Sequence, residues 1–401
     1  MLSRRTSKLK HAISQVATIG IVVVIIVIIA AGGLYVALSS SKTSTVTSVS
    51  TSISTSVSTS ISTSVSTVSS THSTTPAINL TAAAQKEGGT ITIYGDLDAA
   101  TWDSAIQPAL QQAYPFLKIS YNSLGTGALA SKAISEYIAG KVSSDLLFNS
   151  LPQQISAEEI GALQQWNNTA FEYAQGFSAN NTDPAGYWHP GFVLPSIIIY
   201  NTNMVTAANA PKSYSDFTNS KWSGQFVMQD PSLLGGMGTL FGTLYPIMGN
   251  ASWTSLMQGI SANKPVILSS NGEAFTDVQS GQYPVGFGQL NDFITEQTSG
   301  GGPVAAEFPT PLVGAPVVTT ITKGAAHPMA AELVAEWFTT AAGQNALYAS
   351  GRPPMNPTIF AQDMAKYIPA GTQLLPGGVN NPTFNTDPSY WSAAFVKIFG
   401  P

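Results

Sequence analysis

Three polar side chains follow a strongly apolar stretch in the second half of the chain. Residues 283–289, YPVGFGQ, have the pattern of a buried strand, and Gln289, Asn291 and Asp292 stand at or just after its end. A strand that ends in polar side chains often presents them to a cleft. We therefore expect these residues to hold a ligand by neutral hydrogen bonds and one carboxylate, although the two amides would serve equally to satisfy the backbone of a turn.

Further polar residues follow three predicted strands nearer the N-terminus. Asp96 and Asp98 come after the first strand, Thr126 and Gly127 after the second, and Asn149 at the end of the third. Strands that alternate with helices form parallel sheets, and ligands bind beyond the carboxyl ends of such strands. These five residues are therefore candidates for the same cleft.

Predicted helix starts supply a second kind of candidate. Besides the helix that begins near Thr126, a helix begins at Ser269, Ser270 and Asn271, and Ser232 precedes another in the stretch DPSLLGGMG. A helix N-terminus carries partial positive charge and unpaired N–H groups, which favour an anion. A serine or threonine in this position is also an ordinary helix cap.

The two kinds of candidate favour different ligands. The helix starts favour an anion, whereas Asp96, Asp98 and Asp292 favour a cation or a polyhydroxylated molecule. The sequence therefore leaves three classes of small solute open: an anion, a polyol and a cation.

Groups that would support catalysis or metal binding are scarce. The chain has no cysteine and only four histidines, which argues against a zinc or copper site. It has no G-x-G-x-x-G motif, no lysine in the glycine-rich GGMGTLFG and no serine in a G-x-S-x-G elbow. Asp96 and Asp98 lack a base or an oxyanion partner, so we expect a protein that is not an enzyme and has no cofactor and no metal site.

The N-terminal region predicts a membrane anchor. Residues 19–38 are uncharged and long enough for a bilayer core of about 30 Å. The basic leader 1–18 places the start in the cytoplasm and the folded part outside, at the cell surface. A cleaved secretory signal is the alternative, although its apolar core is usually shorter. The stretch KHAIS resembles the pilin-like leaders of archaeal surface proteins, and cleavage after Ala12 would leave the apolar segment to span the bilayer or to join a pilus-like assembly.

A serine- and threonine-rich stretch, residues 39–78, separates this anchor from the rest. Its repeated pattern has about one aliphatic residue in four, too few to bury a core, and is typical of an extended glycosylated stalk. The N-glycosylation sequons at Asn79, Asn167, Asn180 and Asn250 agree with an external location.

The charge of the remaining chain argues against a nucleic acid partner. Five basic residues lie within the first 42 residues, and the rest of the chain has 11 basic and 21 acidic residues. Nucleic acid binding depends on basic surfaces, which such a balance does not provide.

Several segments between residues 88 and 357 together resemble a known family. In order they are ITIYGDLD, AYPFLKISYNSLGTGALASKAISEYIAGKVSSDLLF, FVLPSIIIYNTNMV, APKSYSDFTNSKWSGQFVMQDPS, GQYPVGFGQ and TKGAAHPMAAELVAEWFTTAAGQNAL. They are similar to the extracellular substrate-binding proteins of ABC importers, in the group that contains ferric-iron, thiamine, polyamine and phosphonate receptors. The resemblance implies an α/β, two-lobed periplasmic-binding-protein-like fold of type II, in which each lobe is a sheet flanked by helices.

The resemblance also implies a division of the chain and the position of the ligand. Lobe 1 would comprise residues 79–194 and 312–401, and lobe 2 residues 195–311, with two crossing strands between them and the ligand held between the lobes. Ferric-iron receptors offer adjacent tyrosines at the strand end that matches GFGQLND. This chain has no tyrosine pair there, which argues against the usual iron site.

The resemblance implies a cell-surface receptor that captures a small solute between two lobes. It would deliver that solute to the permease of an ABC importer, with hinges at residues 194–196 and 311–314. The alternative is a non-transport surface or adhesive protein displayed on a glycosylated stalk.

Overall fold

The computed structural model describes residues 79–378 and 387–400. The predicted leader, membrane segment and stalk, residues 1–78, lie outside this part of the chain. No helix among the described residues is long and apolar enough to cross a membrane. The described residues belong to one compact unit, Ala77–Pro401.

The strands of the described part fall into two groups joined by one long strand. Their bounds are β1 (Thr90–Gly95), β2 (Lys118–Ser123), β3 (Leu146–Ser150), β4 (Leu163–Gln164), β5 (His189–Asn201), β6 (Phe226–Gln229), β7 (Val266–Leu268), β8 (Val285–Gln289), β9 (Val304–Glu307), β10 (Leu312–Thr322) and β11 (Leu374–Pro376). The main strand order is β2-β1-β3-β10-β5-β8-β6-β7.

Helices cover both groups of strands. Their bounds are α1 (Leu80–Lys86), α2 (Gln107–Ala113), α3 (Thr126–Ile138), α4 (Leu151–Glu159), α5 (Thr169–Ala174), α6 (Gly236–Met248), α7 (Asn250–Ala262), α8 (Asn271–Gln279), α9 (Leu290–Thr298), α10 (Pro328–Thr339), α11 (Ala341–Ala349), α12 (Pro357–Met364) and α13 (Pro388–Phe399). A short helix, Ala99–Thr101, and a π-helical turn, Trp102–Ile106, lead into α2.

The first sheet is parallel where strands and helices alternate in the sequence. Strand β1 pairs in parallel with β2 and β3, and β10 pairs antiparallel with β3 and β5. We call this sheet and its helices the first lobe. Its core contains Trp102 stacked on Tyr121, with ring centroids 4.0 Å apart, and Phe148 against Phe338 at 4.7 Å.

The second sheet is built on the far half of β5. Strand β8 pairs antiparallel with β5 and in parallel with β6, which in turn pairs with β7, while β9 pairs with the other edge of β5. We call this sheet and its helices the second lobe. One core, around Phe217, Phe241 and Phe287, and another, around Ile197, Val227 and Phe275, include residues of this lobe.

Strand β5 changes partners at one point. Residues up to Pro195 pair with β10, and Ser196 pairs with Gln289 of β8. All of its residues but Leu194 are buried, because both faces of this strand are covered. The two-lobed, periplasmic-binding-protein-like architecture expected from the sequence is therefore present, with β5 and β10 running between the lobes.

The C-terminal helix differs from the predicted division of the chain. Residues 312–401 were assigned to lobe 1, but Trp391 and Phe395 of α13 belong to the core of the second lobe, with Phe241 and Trp253. The helix has one apolar face. That face predicts that the helix is packed against a core, but it does not indicate which lobe the core belongs to.

Phe395→Ala should destabilise the protein strongly. The Phe395 side chain is fully buried, and removing a buried phenylalanine side chain typically costs about 3–5 kcal/mol in the free energy of unfolding. Chemical denaturation measures this loss. Val396→Ala, at the neighbouring position that is 39% exposed, is the matched control and should cost less than about 1 kcal/mol. Equal losses in the two variants would contradict the packing described for α13.

Candidate ligand-binding site

A cavity of about 240 Å³ lies between the two lobes. From the first lobe and the crossing strands it is lined by Asp96, Thr126, Ser150, Leu194, Ala315 and Val317. From the second lobe it is lined by Gln229, Gly235, Gly236, Ser270, Asn271, Gly272, Gln289 and Asp292. Six of the predicted site residues therefore share one cavity: Asp96, Thr126, Ser270, Asn271, Gln289 and Asp292.

Five helices begin at this cavity. The lining residues at their starts are Thr126 for α3, Ser150 for α4, Gly235 and Gly236 for α6, Ser270 and Asn271 for α8, and Gln289 for α9. The N-cap side chain of α8, Ser270, accepts a hydrogen bond from the Glu273 N–H, and the N-cap residues of the other four make no such bond. The first turns of α3 and α9 therefore offer N–H groups and partial positive charge to the cavity. In α6 the Met237 N–H already donates to Gln229 Oε1, and in α4 the second residue, Pro152, has no N–H.

Three amide side chains surround the start of α6. Asn271 Nδ2 donates to Gln229 Oε1 at 3.0 Å, and the backbone N–H of Met237 donates to the same oxygen at 3.5 Å. A Cβ atom on Gly236 would lie 2.7 Å from Gln289 Nε2 and 2.9 Å from Asn271 Nδ2. The helix can approach these amides this closely only because its first residue is glycine.

Asp96 brings a carboxyl group to the first-lobe side of the cavity. Thr126 Oγ1 donates to its Oδ2 at 3.4 Å, while its buried Oδ1 has no hydrogen-bond partner among the described residues. Burial raises the pKa of Asp96 to about 7, although the Arg352 charge and the Thr126 hydrogen bond act in the opposite direction.

Asp292 brings a second carboxyl group from the second lobe. Its Oδ1 accepts a hydrogen bond from Asn291 Nδ2 at 2.8 Å. Burial raises the pKa of Asp292 to about 6, again against the opposing effect of Arg352 and of this hydrogen bond. The cavity thus contains one carboxyl group from each lobe, and both hold a proton more tightly than an exposed aspartate.

Two predicted residues support the cavity without lining it. Asn149 is fully buried; its Nδ2 donates to the Thr126 carbonyl at 3.0 Å, and its Oδ1 accepts from the Ser150 N–H at 2.8 Å. Asn291 holds Asp292 as described above. Both side chains therefore position neighbours that do face the cavity, a role distinct from the direct ligand contact we expected of them.

Four residues that we predicted to contact the ligand do not line the cavity. Asp98 caps the helix at Ala99, accepting from the Thr101 N–H at 2.8 Å. Ser269 is bound to Glu273, with 2.7 Å from its Oγ to Oε2. The Ser232 N–H donates to Asp230, and Gly127 lies inside α3, away from the cavity lining. Local hydrogen bonds occupy the side chains of Asp98 and Ser269, which leaves those two side chains no reason to reach the cavity.

The sequence reasoning missed several lining residues, of which Ser150 and Gln229 are polar. The Ser150 side chain is 7% exposed, and its Oγ has no hydrogen-bond partner within the described chain. Its position at the end of β3 was a signal that could have identified it. Gln229 carried no such signal, because a glutamine at the end of a short strand is common.

Arg352 is the one arginine of the described part of the chain, and its charge acts on both carboxyl groups of the cavity. Its Nη2 is 3.8 Å from Asp98 Oδ2. Burial acts to raise the pKa of Asp98, but the hydrogen bonds from Thr101 and the Arg352 charge outweigh it and lower that pKa. Arg352 does not line the cavity, so its charge acts on the cleft from outside.

Side chains of the kinds that usually hold metal ions are not clustered in the described part of the chain. Within residues 79–378 and 387–400, no three His, Cys, Asp or Glu side chains are grouped so that they could hold a metal ion. A larger cavity of about 580 Å³, around Phe360 and Ile368, has no charged side chain in its lining and contains none of the predicted site residues. The smaller cleft is therefore the better candidate for a polar ligand.

The lobes, the crossing strands and the cleft define a two-lobed receptor for a small solute. The family model of the bacterial extracellular solute-binding proteins matches residues 149–381, and the chain belongs to that family. These proteins are non-enzymatic receptors that serve ABC importers. No curated protein matches the sequence.

Solved structures share this fold at low sequence identity. Iron-bound HitA from Pseudomonas aeruginosa is 18% identical with a TM-score of 0.62, covering 76% of this chain and 99% of its own. Trichodesmium FutA in complex with iron and citrate is 16% identical with a TM-score of 0.64, covering 78% and 99%. The periplasmic binding protein AfuA from Actinobacillus pleuropneumoniae, with fructose-6-phosphate bound, is 17% identical with a TM-score of 0.61, covering 78% and 98%. At these identities the likeness shows the fold.

Gly236→Ala should disturb the cleft and destabilise the protein. The new methyl group would meet two amide nitrogens closer than 3.0 Å, so either the helix start or the amides must move, at a cost of roughly 1–3 kcal/mol in the free energy of unfolding. Gly127→Ala is the control, because a Cβ there meets nothing within 4 Å and alanine favours the helix by roughly 0.5–1 kcal/mol. Urea denaturation measures the free energy of unfolding of both variants and so separates steric strain from the general effect of removing a glycine. A Gly236→Ala variant that is more stable than wild type would contradict the described contacts.

Asp96→Asn should stabilise the unliganded protein at neutral and alkaline pH. With the pKa of Asp96 raised from 3.8 to about 7, the native state binds more protons than the unfolded state in that interval, so stability falls as pH rises through it. The variant should exceed wild type by on the order of 2 kcal/mol above about pH 7, since one pKa unit is worth about 1.4 kcal/mol and solvent reaches this carboxyl in part. The advantage should vanish near pH 4. Parallel stability curves across this range would show that Asp96 titrates normally.

Proposed function

We propose that the solute captured by this receptor carries an oxyanion group, such as a phosphate, phosphonate or sulfate, on a small polar molecule. The observation that carries the proposal is the convergence of five helix N-termini on one cavity, four of them without a hydrogen bond from the side chain of the N-cap residue. Such termini bind anions through backbone N–H groups without requiring a lysine or arginine.

The polar side chains of the cavity support the same ligand class. Ser150 offers a buried hydroxyl without a partner among the described residues, and the amides of Asn271 and Gln289 add donors from the second lobe. Asp96 and Asp292 add acceptors for hydroxyl groups on the remainder of the solute. The fructose-6-phosphate of AfuA belongs to this class of ligand.

Ferric iron fits this cavity less well. Hard trivalent iron favours several anionic oxygen ligands, and the described lining offers two carboxyl groups and no tyrosine. The iron named for HitA and FutA is therefore not carried over to this chain.

We further propose that the receptor is displayed outside the cell on a tether. Leader 1–18 resembles archaeal pilin-like leaders, residues 19–38 would anchor the chain in the membrane, and residues 39–78 would form a glycosylated stalk. The two lobes would follow the division given above except for the C-terminal helix, and they would close on the solute by bending near residues 194–196 and 311–314. Closure presents the loaded receptor to the permease.

A thermal-shift screen of the purified full chain tests the ligand class. The panel contains glucose 6-phosphate, methylphosphonate and inorganic sulfate, with ferric citrate, spermidine and glucose as the other classes. A ligand at 100 times its Kd adds about 2.7 kcal/mol to stability, so at least one oxyanion should raise the Tm clearly. Stabilisation by ferric citrate or spermidine alone would sink the proposal.

Ser150→Ala should weaken the oxyanion hit from this screen by roughly tenfold in Kd, because a hydrogen bond to a charged group contributes about 1.5–3 kcal/mol. Ser156→Ala is the matched control: Ser156 lies on the same helix, and its Oγ donates to the Pro152 carbonyl at 3.3 Å rather than to the cavity. Isothermal titration with glucose 6-phosphate measures both constants. Equal losses in the two variants would place the ligand elsewhere.

A further inference from the structure

The cleft combines two features that oppose each other electrostatically. Five helix starts favour an anion, yet the ionisable side chains in the described lining are two carboxyl groups, Asp96 and Asp292. No lysine, arginine or histidine lines the cavity within the described residues. An oxyanion that enters must therefore share a small space with both carboxyl groups.

Few other charges reach these carboxyl groups. Arg352 acts on both from behind the cavity, and Asp98 is held near it. Tyr121, on the neighbouring strand, donates its hydroxyl to the Leu97 carbonyl at 2.8 Å, and burial raises its pKa so that it stays neutral. Among the described residues, Arg352 is thus the one cation whose charge offsets the two carboxyl groups, and it already pairs with Asp98.

The protonation state of a carboxyl group decides how it meets an oxyanion. An ionised carboxylate has only acceptors and repels the ligand, whereas a neutral carboxyl group donates one O–H to it. In a cavity of about 240 Å³ between two lobes, the effective dielectric constant is lower than in bulk water, so this repulsion is stronger than at the protein surface. Each close contact between a carboxyl oxygen and an oxygen of the oxyanion group therefore needs a proton on the carboxyl group.

We propose that Asp96 and Asp292 make capture proton-linked: the cleft accepts an oxyanion together with a proton on at least one of these two side chains. This inference rests on the proposed oxyanion class. Because one carboxyl group belongs to each lobe, protonation also removes a barrier to bringing the lobes together around the ligand. The protonation of these two residues then sets the net charge of the cleft with its ligand.

Independent observations agree with this assignment. Asp96 Oδ1 is a buried oxygen without a partner inside the described part of the chain, as expected of an atom that awaits a ligand or carries a proton. Ser150, a lining residue that is more than nine-tenths buried, has a second oxygen without a partner in the described part of the chain. Burial also raises the pKa of Asp96 to about 7 and that of Asp292 to about 6, so both protons are available near neutral pH.

Calorimetric titration of the full chain with inorganic sulfate tests the proposal, because the charge of sulfate does not change between about pH 5 and about pH 8. The Kd should rise at least tenfold across this range, since each linked proton contributes up to a factor of about ten per pH unit above its pKa. Titration at about pH 7 in two buffers of different ionisation enthalpy should show net proton uptake on binding.

Variants assign the protons to residues. Asp96→Asn and Asp292→Asn should each bind sulfate more tightly than wild type at about pH 8, because the amide donates a hydrogen bond without a proton from solution, and the double variant should lose most of the pH dependence. Glu332→Gln is the matched control. Burial raises the pKa of Glu332 to about 7 as well, but this residue lies on α10 and does not line the cavity. The pH dependence of its Kd should equal that of wild type.

The outcomes separate this inference from the proposed ligand class. A sulfate Kd that is constant from about pH 5 to about pH 8, without proton uptake, would overturn proton linkage and leave oxyanion binding intact. A pH dependence that survives in the double variant would overturn the roles of Asp96 and Asp292. Failure of sulfate, inorganic phosphate and glucose 6-phosphate to bind at any pH would overturn the ligand class itself, and this inference with it.

Discussion

The architecture depends on the hydrogen bonding of one strand, β5, which belongs to both sheets. Its first half pairs with β10 and its second half with β8 and β9, and the exchange falls between Pro195 and Ser196. Proline cannot donate a ladder hydrogen bond, so its position at the exchange costs the sheet little. Leu194, beside this point, lines the cavity. The cleft therefore lies where one strand passes from one set of partners to the next.

The apolar segments revealed the fold because burial on both faces leaves little choice of residue. The stretch Phe192 to Tyr200 and the alternation of strands with helices around β1, β2 and β3 are constraints that a sequence displays directly. The sequence did not indicate in this way which lobe α13 packs against. The apolar face of α13 predicts that this face is buried, whereas the lobe that buries it depends on the path of the chain in space.

The site was predictable only in part, because the same residue types serve capping and binding. Ser270 and Asp98 both cap helices, yet Ser270 lines the cavity and Asp98 does not. The difference arises from where each helix start lies relative to the other lobe, which no local pattern records. Gly235 and Gly236 were recognised as part of a glycine-rich helix start, but their closeness to Gln229 and Gln289 depends on the packing of three separate segments.

The position of α13 has a consequence for how the molecule changes shape. Helix α1, at the start of the described chain, contributes Ala84 to the core of the first lobe, while Phe395 near the other end lies in the core of the second. The described part of the chain therefore begins in the first lobe and ends in the second. In the closure that we propose, a rotation of the lobes about the cleft would alter the separation between α1 and α13, so the occupancy of a small internal cavity would be expressed as a distance on the outside of the protein.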